Sequence, residues 1–325
     1  MYFLHYAVMG LFGRKKTDKQ LATEWNEEGY RMGTTIDTFW DPTGMRRKEQ
    51  SLKCYDEAIK LDPECVNAWF NKGGVLMELE KWEETIPCFR KAIQLNTQKE
   101  LHSKNLSHAW CSIGYSLNSL EKYEESITYF DKAITLDPKD PDAWNFKGQS
   151  LMQLEKYEES IACYDEAIKL DPEDVTAWNL KYQPLEKLGK FEESITCCDK
   201  MIKLAPEYLH LAWIYKGESL EQLEKYEESI ACYDEVIKLA PKKEDEVETD
   251  IPEMASNMEA AWGFKARALE KLEKYEESIA CYDEAIKLAP EYPVMWKFKG
   301  QVLEKLGRDE EAQECFAKVK ELEKS

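Results

Sequence analysis

The chain has 325 residues, 43% of them hydrophobic and 33% charged, with a formal net charge of −20. So large an acidic excess repels phosphate backbones, which makes nucleic acid a poor partner and a basic or uncharged protein a better one. Apolar residues recur at helical spacing along nearly the whole chain, which provides a buried core and excludes general disorder.

Residues 1–13, MYFLHYAVMGLFG, are apolar and precede Arg14, Lys15 and Lys16. The run is too short to cross a bilayer, and its charge follows the apolar stretch, the reverse of a secretory signal. Either Met1 or Met9 serves as a start. Residues 1–19 are expected to form an arm docked on the first helices. Weak membrane-surface contact through Leu11, Phe12 and the three cations is the alternative.

From Trp25 the sequence repeats. Trp69, Trp110, Trp144, Trp178, Trp213, Trp262 and Trp296 each open a further copy, and the steps from Trp110 to Trp144, Trp144 to Trp178 and Trp262 to Trp296 are 34 residues. Gly148, Leu151, Tyr157, Tyr164, Ala167 and Pro172 follow Trp144 at offsets 4, 7, 13, 20, 23 and 28. This pattern, in about eight copies over residues 20–325, resembles the tetratricopeptide repeat. The resemblance implies an all-α, right-handed superhelix of antiparallel helix pairs, with a first helix such as 142–154 and a second such as 157–170. Each copy then contacts only its neighbours, and the array counts as one elongated domain.

Several copies depart from the pattern. Residues 33–44 hold Gly33, Pro42 and Gly44 as breakers, so a loop carrying Phe39 and Trp40 is expected between the helices of the first copy. Pro87 lies inside a second helix, where it removes an amide donor and should bend the helix. An insertion near 98–107 predicts an extra turn or a lengthened helix. Tyr182 occupies the glycine slot of the fifth copy, and Pro184 follows it in mid-helix. The ring is expected to push the helices apart or turn outward, which leaves a hinge or a local adjustment as the outcome. Residues 242–259 form an acidic insertion in which Pro252, Ser256 and Asn257 argue against helix. It is either a solvated charge run or a landing site for a basic partner. The polar end, KVKELEKS, suits a terminal repeat on which nothing stacks.

Within second helices, Asp165 with Lys169 and its counterparts Asp56–Lys60, Asp199–Lys203, Asp234–Lys238 and Asp283–Lys287 have the spacing of i,i+4 ion pairs. Cys54, Cys88, Cys163, Cys197, Cys232, Cys281 and Cys315 share one slot, which predicts a ladder of buried thiols too far apart to bridge. Reduced thiols fit the cytoplasm. The four histidines, His5, His102, His108 and His210, lack metal-ligand spacing, and no phosphate-cradling glycine loop is present. Neither enzymatic chemistry, a metal nor a cofactor is expected.

Recognition remains. Second helices of three copies read EKYEESIACYDEAIKL, EKYEESIACYDEVIKL and EKYEESIACYDEAIKL, whereas the first helices differ. The family resemblance places a peptide-binding concave groove on those first helices, at the position after the tryptophan and one turn later. Here these are Asn145 and Gln149, Asn179 and Gln183, Ile214 and Glu218, Gly263 and Arg267, and Lys297 and Gln301. The carboxamides of Asn145 and Asn179 suit a peptide backbone, and Arg267 with Lys297 suits a carboxylate. The expected function is a non-catalytic adaptor or assembly scaffold for a protein or peptide. A self-associating protein that docks through its arm or end helices is the alternative, and RNA binding by a helical-repeat fold is a third reading.

Overall fold

The computed structural model describes residues 16–34, 44–96, 101–206, 209–239 and 252–323. The arm up to residue 15, the Phe39 and Trp40 loop and the acidic run at 244–250 lie outside these residues. The chain divides into two compact units, 1–170 and 171–325. The first holds α1 (Asp18–Thr34), α2 (Met45–Leu61), α3 (Val66–Glu78), α4 (Trp82–Leu95), α5 (Ser103–Ser119), α6 (Tyr123–Leu136), α7 (Pro141–Gln153) and α8 (Tyr157–Leu170). The second holds α9 (Val175–Lys187), α10 (Phe191–Leu204), α11 (Leu209–Gln222), α12 (Tyr226–Lys238), α13 (Pro252–Lys271), α14 (Tyr275–Leu288), α15 (Pro293–Lys305) and α16 (Asp309–Leu322). The described residues contain no strand.

Odd helices are the first of each pair and pack on the even helix that follows. Odd helices also meet their odd successors, α1 with α3, α3 with α5, α5 with α7 and α11 with α13, and no two even helices meet to a similar extent. The odd helices therefore form the closer-packed, inner side of each unit.

Glycine sets the close approach within a pair. A Cβ on Gly148 would lie 2.6 Å from the ring of Tyr164, one on Gly217 2.5 Å from Tyr233, and one on Gly114 2.7 Å from Phe130. These three rings are at most 1% exposed. Burying one aromatic side chain stabilises the fold by roughly 5 kcal/mol before entropy, at about 25 cal/mol per Å².

The fifth copy reverses this arrangement. Tyr182 does not turn outward; it is 5% exposed and stacks on Tyr215 at 4.2 Å between centroids. The slot that holds an aromatic ring in other second helices is here Cys198, fully buried. Large and small have changed places, which conserves volume and accommodates the tyrosine. Pro184 and Pro87 both lie inside helices that run on beyond them.

The seven first helices from α3 onward each end on one residue in the left-handed region. Gly189 and Gly307 occupy it in two copies, and Glu80, Glu121, Glu155, Glu224 and Glu273 in five, at φ between 57° and 59° for the glutamates. The next amide closes back onto the helix, Lys156 N–H donating to the Leu151 carbonyl at 2.9 Å and Arg308 N–H to Leu303 at 2.9 Å. That 6→1 closure is a Schellman motif, and it turns the chain sharply into the second helix. Glu158 and Glu159 then meet the positive end of the α8 dipole.

Adjacent copies are joined by indole hydrogen bonds. The Nε1–H of Trp69, Trp144, Trp178 and Trp296 donates to the carbonyls of Pro63, Pro138, Pro172 and Pro290, at 3.0 to 3.4 Å. The proline that ends one copy thus accepts from the tryptophan that opens the next.

Four of the five expected i,i+4 ion pairs, those of Asp56, Asp199, Asp234 and Asp283, are replaced. The aspartates reach across to the first helix of the next copy: Asp56 to Lys72, Asp131 to Lys147, Asp199 to Lys216, Asp234 to Lys265 and Asp283 to Lys299, all at 2.6 to 2.7 Å. The helix-end lysines turn back one turn instead, Lys169 to Glu166, Lys238 to Glu235 and Lys287 to Glu284. The spacing was compatible with either partner, and stacking brought a nearer lysine to each aspartate.

Residues 252–259, expected to be irregular, are the start of α13. Pro252 opens that helix, where its missing donor costs nothing. In the 98–107 insertion α5 begins at Ser103, and Leu101 is buried against Val66 and Ala92, its amide donating to Asn96 Oδ1 at 2.9 Å.

All ten cysteines are free, and nine are buried. Burial raises the thiols of Cys88, Cys163, Cys232 and Cys281 to about 11, so they are protonated at neutral pH.

Three outcomes follow from this packing. Tyr182→Gly should destabilise the protein by about 3–5 kcal/mol, and Cys198→Tyr alone should overpack the site. The two together should recover most of the loss in urea unfolding followed by circular dichroism; an additive double variant would contradict the size exchange. Replacing the five left-handed glutamates by glycine should raise the urea midpoint, each change contributing about 0.5–1 kcal/mol. A thiol reagent should modify Cys65 in the native protein and the other nine cysteines only after unfolding.

Candidate binding surface on the first helices

The inner side of the first unit carries a cleft of about 490 Å³, a size suited to a small ligand or a few side chains. The end of α3 and the turn after it supply Met77, Glu78 and Glu80, and the start of α4 supplies Trp82. One face of α5 contributes His108, Cys111, Ser112 and Tyr115 at three- and four-residue steps, and the start of the next pair adds Asp140, Asp142 and Phe146. Three aromatic rings from successive copies make edge contacts, Trp82 with Tyr115 at 5.6 Å and Tyr115 with Phe146 at 5.0 Å.

Around the rings stand four carboxylates. Glu78 pairs with Lys48 at 3.0 Å. Asp140 caps α7, its Oδ1 accepting from the Asp142 amide at 3.1 Å. No described lysine or arginine lines the cleft. His108 touches solvent, yet the hollow around it strips enough water to lower its pKa, against the pull of Asp140 and Asp142. It is therefore neutral at pH 7. Burial pushes the Cys111 thiol up to about 12, so it is no nucleophile near neutrality. No group of three or more metal-ligating side chains occurs among the described residues.

The sequence-predicted positions fall in both units. Asn145 is 4% exposed, so its carboxamide lies within the helix stack. Gln149, on the same helix, is half-buried. In the second unit Asn179 and Glu218 are half-buried, and Gln183, Arg267, Lys297 and Gln301 are exposed. Ile214 is buried. Arg267 donates to Glu221 at 3.2 Å and lies over the Phe264 ring at 5.0 Å.

A polar network runs along the inner side of this second unit. Glu186 accepts from Ser194 and Ser219 at 2.5 and 2.8 Å, and Glu221 accepts from the Tyr233 hydroxyl at 2.6 Å. Glu218 lies near these carboxylates. Its burial raises its pKa, Glu186 and Glu221 push the same way, and Arg267 opposes them.

The cleft residues were missed because the predicted set began at the fourth copy. Cys111 and Tyr115 follow Trp110 at the same offsets as Asn145 and Gln149 follow Trp144. Extending the comparison by one copy finds them. Trp82 replaces the tyrosine that opens other second helices, and no offset rule points to Asp140.

Models described as tetratricopeptide repeat match residues 44–100, 107–140, 141–174, 210–243 and 265–321. No curated protein matches the chain. Among solved structures, the pilF protein of Pseudomonas aeruginosa is similar at 13% identity and a TM-score of 0.52, over 69% of this chain and 94% of that one. YrrB, described as a TPR protein with an unusual peptide-binding site, is 20% identical at a TM-score of 0.47, over 59% of this chain and 89% of its own. MamA is 17% identical at 0.48, over 64% and 96%. At these identities the likeness is one of fold.

The crowding of Glu218 has a measurable consequence. Its folded-state pKa is raised, so its charge destabilises the folded protein at neutral pH, and that penalty disappears as pH falls through the raised value toward the ordinary carboxylate range. Glu218→Gln should therefore raise the urea midpoint at pH 7, and the gain should vanish below about pH 4. A gain independent of pH would mean that charge is not the cause.

Proposed function

We propose, from the premise that this chain belongs to the tetratricopeptide repeat family, that it is a non-catalytic scaffold holding an extended segment of a partner protein along the inner side of its first helices. Tetratricopeptide arrays are in general protein-interaction scaffolds. The observation that carries the finer reading is that the inner side holds the cleft on helices whose sequences differ from copy to copy. Second helices of three copies keep nearly one sequence because they serve packing, so specificity falls to the first helices.

The exposed and half-buried carboxamides of Gln149, Asn179, Gln183 and Gln301 each offer a donor and an acceptor to a peptide backbone. Asn145 supports its neighbours from within the stack. Lys297 is exposed and suits a carboxylate. Arg267 does so only in competition with Glu221, which already holds it. No helix among the described residues is long and apolar enough to cross a membrane. Protonated thiols throughout the core suit a reducing compartment, which supports the cytoplasm as the place of work.

A random peptide library displayed on phage tests this reading. Panned against the protein, it should yield peptides whose binding is lost with Tyr115→Ala, Gln149→Ala or Gln183→Ala and kept with Glu57→Gln and Glu166→Gln on second helices. Peptides that bind all these variants equally would place recognition elsewhere.

A further inference from the structure

Outside the cleft, this protein repeatedly solves the problem of placing a cation in the same way. Arg90 donates to Glu125 at 2.8 Å and to the Tyr129 hydroxyl at 3.0 Å, with its guanidinium over the Tyr129 ring at 5.5 Å. Arg267 combines Glu221 with the Phe264 ring, as described above. Lys147, Lys216 and Lys265 each pair with an aspartate of the preceding copy and lie 5.4 to 5.8 Å from the ring of the tryptophan three residues before them. Lys305 pairs with Glu270 at 2.9 Å and lies over Tyr275 at 5.8 Å. Each site consists of a carboxylate, an aromatic face and a cation supplied by the chain.

The cleft of the first unit has the first two components without the third. Trp82, Tyr115 and Phe146 supply rings, Glu80 and Asp140 supply carboxylates, and no described lysine or arginine is among its lining residues. A neutral His108 adds no positive charge to offset them. Ring quadrupoles and carboxylates attract the same kind of group, so their fields add. The concave wall limits solvent screening and raises the value of each contact above that on an open surface.

We propose that this cleft is a specificity pocket for a basic side chain, arginine before lysine, of the bound protein segment. The proposal rests on the reading that the inner side of the first helices binds such a segment. It adds the chemistry of the partner, a segment with a positively charged anchor residue. A planar guanidinium stacks on an aromatic face while its edge donates to a carboxylate, the combination that Arg90 and Arg267 already display here. Glu78, held by Lys48, stands at the cleft edge as a further acceptor.

The test uses the full chain and the indole N–H resonances of its tryptophans in a two-dimensional nitrogen–proton spectrum. The Trp82 signal is the one lost in Trp82→Phe. The probe is a neutral glycine–serine peptide with a single central arginine, and its control carries citrulline, the uncharged isostere. The arginine peptide should move the Trp82 signal in a saturable way, and citrulline should weaken binding about tenfold or more. Glu80→Gln with Asp140→Asn should weaken arginine binding by a similar factor while leaving citrulline binding and helicity unchanged, because asparagine caps a helix as well as aspartate.

Equal shifts with arginine and citrulline would overturn the basic-anchor proposal and leave inner-surface binding intact. No shift at Trp82, with library-selected peptides still bound elsewhere on the first helices, would overturn the assignment to this cleft alone. If no peptide binds the inner side by either method, the scaffold reading fails together with the pocket.

Discussion

The structure depends on the contact between a small residue, glycine in six of the eight first helices, and an aromatic ring in the second. Because the ring lies within van der Waals reach of the first-helix backbone, the two helices of a pair approach closely, and their remaining apolar residues interlock. Gly148 with Tyr164 and Gly217 with Tyr233 show the ordinary form. Tyr182 with Cys198 shows that the constraint is on the sum of the two volumes and not on either residue. Ala266, fully buried opposite Tyr282, marks how much the slot tolerates in the small direction.

Once that distance is set, the other features fall into place around it. The sharp turn after each first helix needs a left-handed residue, and a glutamate accepts the strain in five copies because the Schellman closure holds it. Between copies, the indole-to-proline hydrogen bonds and the aspartate-to-lysine pairs lie where one pair stacks on the next. The pairs are partly exposed and contribute modestly, up to about 1 kcal/mol each. Their value is in alignment, since a charge pair across an interface disfavours a slipped register.

Packing uses up the second helices. Their cysteines, serines and slot tyrosines such as Tyr164 and Tyr233 are buried, and their end lysines pair with glutamates one turn back, so little distinguishes one copy's outer side from another's. The first helices have an inner side that packing leaves open. There the acidic excess of the chain meets half-buried aromatic rings that line a cleft, at Trp82, Tyr115 and Phe146. In the second unit the corresponding side carries an arginine that a glutamate of the chain already holds, Arg267 with Glu221. The two units thus present different chemistry on equivalent helices.

By itself the sequence determined the helix pairs, their number and order and the burial of the thiols, because each rests on a local period repeated many times; the inner position of the first helices came from the family resemblance. A tryptophan, a glycine and an aromatic residue at fixed offsets permit few other arrangements. Tertiary structure alone decided what depends on distances across copies. It gave Asp199 to Lys216, where the sequence spacing had suggested Lys203, one turn on in the same helix. It buried Asn145 and Tyr182, whose exposure no single-helix pattern fixes. It made Pro252 the start of a helix that local composition had argued against. And it gathered Trp82, Tyr115, Asp140 and Phe146 from three copies into one cleft, because the inner side of a stack is shared by neighbours and belongs to no repeat alone.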